Sequence, residues 1–286
     1  MIRIDNQAWH TLFENSFYND QYIYHYTNVN KAIKILNTDS LRFSPLNKTN
    51  DTMESKPKIS VLDSKDSKKI KRIREYFVDL NAKSIQLLCF TMDYPKMNEI
   101  EVNEIDKYSN YSGRGFALPR MWAQYAKDNS GVCFVFNKTK LKEIIYEQFA
   151  PIIISDKKVD YYDQFGSFPV EYNKIESLLQ LREEYGEGIE NAIYNMNFFK
   201  KNIDFINYNY FSKLKDWEGE LEYRFLLYGN KEYYVKKISS AISGIVIGEK
   251  IEEEYEEIIS YFCDDICEVK KITFACNGCN LINVFP

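Results

Sequence analysis

The sequence predicts a single α+β domain spanning residues 1–286, and three observations predict it. Short apolar strand patterns recur from the start of the chain to its end. Amphipathic helical spacing is interleaved with them, and a longer helical stretch at about 174–215 interrupts the series. There is no internal repeat and no Pro- or Ser-rich linker to divide the chain.

The first strand is YIYHYT, residues 22–27. VNKAIKIL comes next with Val29, Ala32, Ile33 and Leu36 at i, i+3, i+4 and i+7, the spacing of a short amphipathic helix that Asp39-Ser40 ends. LRFS (41–44) reads as a second strand, and the polar loop SPLNKTNDTMES carries Pro45, Asn47, Asn50 and Asp51 as turn formers. IQLLCFTM (85–92) has the apolar content of a buried strand, and 97–115 reads as a surface excursion. PRMWAQYAKDNSGVCFVF then predicts a short helix bearing Met121, Trp122 and Tyr125, a polar turn ending at Gly131, and a strand. Helical spacing returns at Leu141, Ile144 and Ile145; SGIVIGEKI (243–251) is a strand and EEEYEEIISYF a helix. The chain closes on ITFACNGCNLINVF, where Asn277-Gly278 predicts a hairpin with Cys276 and Cys279 opposite each other.

Composition narrows the function. A formal charge of −5 argues against broad binding to a phosphate backbone, although KDSKKIKRIR (65–74) concentrates six basic residues and reads either as a solvated helix face or as a nucleic-acid contact. No apolar run approaches the ~20 residues that span a bilayer, and MIRIDNQAWHTLFENSF is not a leader, so a cytoplasmic protein without membrane contact is expected. The six cysteines then read as reduced thiols. Cys263, Cys267, Cys276 and Cys279 can be drawn as a zinc site, but C-x3-C followed by C-x2-C is loose spacing and the hairpin accounts for the pair more simply, so no metal is expected.

Two stretches carry candidate chemistry. If 220–227 is a strand, alternation puts Glu220, Glu222 and Arg224 on one face and Leu221, Tyr223 and Phe225 on the other. That face reads either as the wet side of an edge strand or as a carboxylate pair, oriented by Arg224, that stabilises developing positive charge. In YIYHYT, His25 and Thr27 share one face and Tyr24 and Tyr26 the other, and a histidine among tyrosines reads as a packed residue or as a ligand contact. Asn50, Asp51 and Glu54 are capping groups or ligand-facing groups; Trp122 and Tyr125 are core anchors or stacking platforms.

YHYT, an apolar helix, LRFS, a loop with Asn50-Asp51 and then Glu54, LLCFT, MWAQYAKDNSGVCFVF, KVDYYD, FSKLKDWEGELEYRF and GIVIG occur in that order. Over residues 22–248 this resembles the bacterial family catalogued as domain of unknown function 2971, with Asn50-Asp51-Thr52 where that family usually has Asn-Asp-Pro. That family in turn looks like a distant relative of the ADP-ribosyltransferase fold, which implies a split antiparallel β-sandwich with flanking helices and the helical insertion at about 174–215. The resemblance implies NAD or a related nucleotide as substrate, and transfer to an acceptor protein or nucleic acid, or hydrolysis, in phage defence or toxicity. By the same resemblance Glu222 or Glu220 is the catalytic carboxylate and His25 bonds the nicotinamide ribose. Ser44 matches the hydroxyl of the second strand, Thr27 and Arg224 line the site, and Tyr26, Trp122 or Tyr125 stacks a ring of the nucleotide. The non-enzymatic alternative is a nucleotide- or protein-sensing module of the same fold.

Overall fold

A computed structural model describes residues 20–62, 65–94, 111, 113–185, 189–275 and 278–284. YIYHYT forms strand β1 (Tyr22–Thr27), and Asn28 then caps helix α1 (Val29–Thr38) by accepting from the Lys31 N–H. Asp39 ends that helix in the left-handed region at φ 44°. The predicted strand LRFS is divided, with β2 at Ser40–Arg42 and β3 at Ser44–Pro45, because Phe43 turns aside to bond the Tyr233 carbonyl. Next come β4 (Ile59–Val61), α2 (Ser67–Lys83), β5 (Ile85–Thr91), α3 (Pro119–Tyr125), β6 (Val132–Asn137), α4 (Lys138–Phe149), β7 (Ile153–Lys158), β8 (Asp160–Tyr162) and β9 (Phe168–Val170). The predicted helical stretch is three helices, α5 (Tyr172–Tyr185), α6 (Ile189–Lys201) and α7 (Ile203–Tyr210). The chain then runs through β10 (Ser212–Leu214), a 3-10 turn at Lys215–Glu220, β11 (Glu222–Tyr228), β12 (Tyr234–Lys236), β13 (Ile242–Ile247), α8 (Glu253–Cys263), β14 (Val269–Ala275) and β15 (Gly278–Asn283).

The result is α+β with a mostly antiparallel open sheet in the order β15-β14-β13-β6-β1-β5-β11-β7, β13 and β14 being its parallel pair and β3 adding to β5. Where the resemblance implied two sheets packed as a sandwich, these strands lie in one sheet whose faces are covered by helices, and β2-β12, β4-β9 and β8-β10 are short separate pairs. The main sheet is pinched in the middle: β1 and β5 meet in register only at Tyr24↔Thr91, whereas β5 and β11 pair over seven residues.

Alternation along the strands sorts the core into one continuous face and one divided face. Ile23, Phe90, Phe134, Phe136, Phe225 and Ile245 cross the pinch on the first face, under α1, α4 and α8. On the second face, Leu87, Leu226 and Tyr228 pack against α2 and α5 to α7, while Tyr24, Tyr26, Val135 and Val246 pack against α3 and Phe116. Between these two apolar clusters the second face is polar, and the candidate site lies there.

Two sequence expectations shift at the C-terminal end. The β14–β15 register pairs Phe274 with Cys279 and Ala275 with Gly278, so that the partner of Cys279 is two residues from the predicted Cys276, which lies outside the described residues. Cys263 and Cys267 belong to the core of the first face and Cys279 to the second, so the sheet separates them. Among the described residues no helix is long and apolar enough to cross a membrane. The basic run lies on α2, where Lys71 pairs with Glu75, Arg72 with Glu183, and Lys69 lies over Tyr172, all on an exposed helix face.

Candidate functional site

Glu222 opens β11 and stands in register with Thr91, itself the partner of Tyr24, so Glu222 projects from the second face at the pinch. Arg224, two residues on and therefore on the same face, grips it with both ends: Nε to Oε1 at 2.6 Å and Nη2 to Oε2 at 2.8 Å. The same guanidinium donates to Glu54 and, through Nη1, to the Tyr210 carbonyl at 2.8 Å.

Glu220 was expected on the same strand and is not. It ends the 3-10 turn, and Leu221 follows in the left-handed region at φ 46°, which breaks the alternation before the strand begins. It rejoins Glu222 through Lys213, whose ammonium lies 2.7 Å from Glu220 Oε2, 2.9 Å from Glu222 Oε2 and 3.8 Å from Glu54 Oε1. The Tyr125 hydroxyl, from α3, donates to the other oxygen of Glu220 at 2.5 Å. The Glu222 N–H donates to the Tyr161 hydroxyl at 3.0 Å.

This cluster is buried. Glu54, Glu220 and Glu222 are 3%, 3% and 5% exposed, and β11 is a central strand between β5 and β7 rather than an edge with a wet face. Burial alone would raise the Glu222 carboxyl; the Arg224 guanidinium and then the Lys213 ammonium overcome it and hold the group at about 2. For Lys213 the balance runs the other way: burial lowers it, and Glu222 and Glu54 more than restore it, so it stays charged. Lys58 is lowered to about 8 by burial, against the pull of Glu54. Its ammonium donates to the Ser212 carbonyl at 3.0 Å and lies 3.9 Å from the Phe165 ring centre. A bound metal would have to displace Lys213, which fills the space between the carboxylates.

The structure brings Glu220, Glu222, Arg224 and Tyr125 together and leaves the other predicted residues elsewhere. His25 faces away: it packs on Phe90 at 5.6 Å and bonds the Cys89 carbonyl through Nδ1, on the first face, so the sheet itself separates it from Glu222. Thr27 shares that face, opposite Val132. Tyr26 and Trp122 are core residues, the Tyr26 hydroxyl donating to the Gly115 carbonyl and Trp122 Nε1 to the Phe116 carbonyl. Ser44 pairs with Leu87, four residues along β5 from Thr91, about 13 Å away at ~3.3 Å per residue. Asp51 caps the Met53 N–H, while Glu54, from the same loop, enters the site.

Three residues of the site escaped sequence reasoning: Lys213, Tyr161 and Trp217. The pairing of β8 with β10, Tyr161 opposite Lys213, delivers the first two, and a parallel contact between such distant segments has no local signature. Trp217 sits in the 3-10 turn with its ring centre 5.0 Å from the Lys213 ammonium and 5.8 Å from the Arg120 guanidinium.

Residues 121–225, which include Tyr125, Tyr161, Lys213, Glu220, Glu222 and Arg224, match the family model described as protein of unknown function (DUF2971). No curated protein and no solved structure matches the chain.

Proposed function

From the premise that residues 121–225 carry the DUF2971 pattern, we propose that the chain is an ADP-ribosyltransferase-like enzyme that breaks the nicotinamide–ribose bond of NAD. The observation that carries this reading is Glu222: an ionised carboxylate held by two cations in a buried setting, with Glu220 beside it. Nicotinamide departs with the electron pair of the C–N bond, positive charge builds on the ribose, and a preoriented carboxylate stabilises it without having to reorganise. Water or an acceptor nucleophile then forms the new bond to that carbon and gives up a proton, for which Glu220 is the nearby carboxylate. The choice between hydrolysis and transfer, and a role in phage defence or toxicity, rest on the family resemblance. His25 has no part in the reading, since it lies on the other face.

The runner-up is a non-catalytic module that senses a nucleotide or a protein. It is favoured by the burial of the same carboxylates, which are already satisfied by Lys213 and Arg224 in the manner of a structural ion network.

The test is nicotinamide release from NAD by purified protein, with and without cell lysate. Wild-type release that Glu222→Gln lowers by about 10²–10³-fold supports the enzyme, and dependence on lysate indicates an acceptor. Binding of NAD without release, by folded protein under both conditions, selects the sensing module.

A further inference from the structure

Every carboxylate of the site is at least nine-tenths buried, so a ligand reaches it only if something above it moves. What lies above is the 3-10 turn Lys215–Glu220, with Lys215, Asp216, Glu218 and Gly219 exposed and only Trp217 and Glu220 turned inward. The turn runs between β10, a strand of three residues, and Leu221, whose carbonyl is fixed by the Met92 N–H. Helix α3 clips it at both ends. Arg120 Nη1 donates to the Asp216 carbonyl at 2.9 Å and its guanidinium lies against Trp217; Tyr125, on the same helix, holds Glu220. A Cβ on Gly219 would lie 3.3 Å from Arg120 Nη1, so the clip also rests on the bare backbone there.

We infer that the turn Lys215–Glu220 is a latched flap over the carboxylate site, and that Arg120 and Tyr125 are positioning residues that set how often it opens. The outer latch is a single exposed side chain, Arg120, whose contacts in water contribute little, whereas β11 beneath is buried along its whole length. Opening breaks the Glu220 bonds to Lys213 and Tyr125 but leaves Glu222 held by both Arg224 and Lys213, so the flap uncovers the site without dissolving it. The flap deepens the proposed function and rests on it, because it assigns the route by which NAD reaches Glu222.

Amide hydrogen exchange of the whole chain, compared between wild type, Arg120→Ala and Tyr125→Phe, tests it. In wild type, amides 216–221 are expected to exchange as a group faster than those of β11. Each variant is expected to speed that group roughly three- to ten-fold while leaving β11 unchanged. Acrylamide quenching of Trp217 fluorescence in a Trp9→Phe background, where Trp122 is buried, is expected to rise in parallel. Exchange of 216–221 that is as slow as β11 in wild type, or unmoved by both variants, overturns the flap. Because exchange is read without NAD, a flap that opens in a protein releasing no nicotinamide leaves the inference standing and removes only the catalytic reading.

Discussion

Lys213 and Glu222 lie on strands that do not pair with one another, yet Lys213 Nζ is 2.9 Å from Glu222 Oε2, and the same ammonium reaches Glu220 at 2.7 Å. The shared ammonium offsets one of two carboxylate charges that would repel one another, Arg224 offsets the other at Glu222, and the bond ties the turn before β11 to the strand itself. A change at any one of the three therefore alters the balance of charge at the other two.

Glu222→Leu leaves Arg224 and Lys213 short of a buried partner, and a loss of about 3–5 kcal/mol is expected in urea denaturation. Arg224→Leu is expected to cost as much, since it strands both Glu222 and Glu54. The double variant should cost less than the sum of the two, by roughly 1–3 kcal/mol. Additive losses would mean that the two residues are not coupled.

Acid should weaken the fold through Glu222. Its folded value of about 2 lies below the ordinary 4.5, so the unfolded chain takes up the proton first. The contribution is then present above pH ~4.5 and is lost as pH falls toward 2, by up to about 3 kcal/mol. Asp156, lowered by Tyr146, Tyr223 and Lys142 against the opposing effect of burial, adds to the same trend. Denaturation midpoints between pH 6 and pH 3 check this, and Glu222→Gln should flatten the slope.

His25→Ala should leave nicotinamide release intact and lower stability by about 1–3 kcal/mol, because it removes a ring packed on Phe90 and a bond to the Cys89 carbonyl. Release lost in the folded variant would contradict the separation of His25 from the carboxylates.

Gly248→Ala should be among the most damaging small changes in the chain. A Cβ there would lie 2.1 Å from the Asn129 carbonyl oxygen, and neither backbone can yield: Lys127, Asp128 and Asn129 already form a left-handed run, and the Lys250 N–H bonds that same oxygen. A loss of more than about 2 kcal/mol in denaturation is expected.

Much of this fold was legible in local pattern. The i, i+3, i+4, i+7 spacing of α1, the apolar run of β5 and the alternation of Tyr223 and Phe225 against Glu222 and Arg224 all appear where the sequence places them. The site was half legible for the same reason. That Glu222 and Arg224 share a face follows from a period of two, whereas the broken alternation at Leu221 depends on a backbone φ that an ordinary leucine does not announce. His25 and Glu222 could not be assigned to opposite faces from either strand alone. That relation is fixed by the register Tyr24↔Thr91↔Glu222, a chain of non-local pairings.

The polar gap between the two apolar clusters of the second face has a consequence for the lineage as well as for the molecule. Positions 54 and 213 and the stretch 220–224 are three segments of the chain, and the charged groups of Glu54, Lys213, Glu220, Glu222 and Arg224 are paired with one another. A change at one of them leaves the remaining buried charges unbalanced. Among descendants of this sequence the five positions should therefore drift as one inherited unit, kept together or exchanged together, while the apolar clusters on either side substitute one residue at a time.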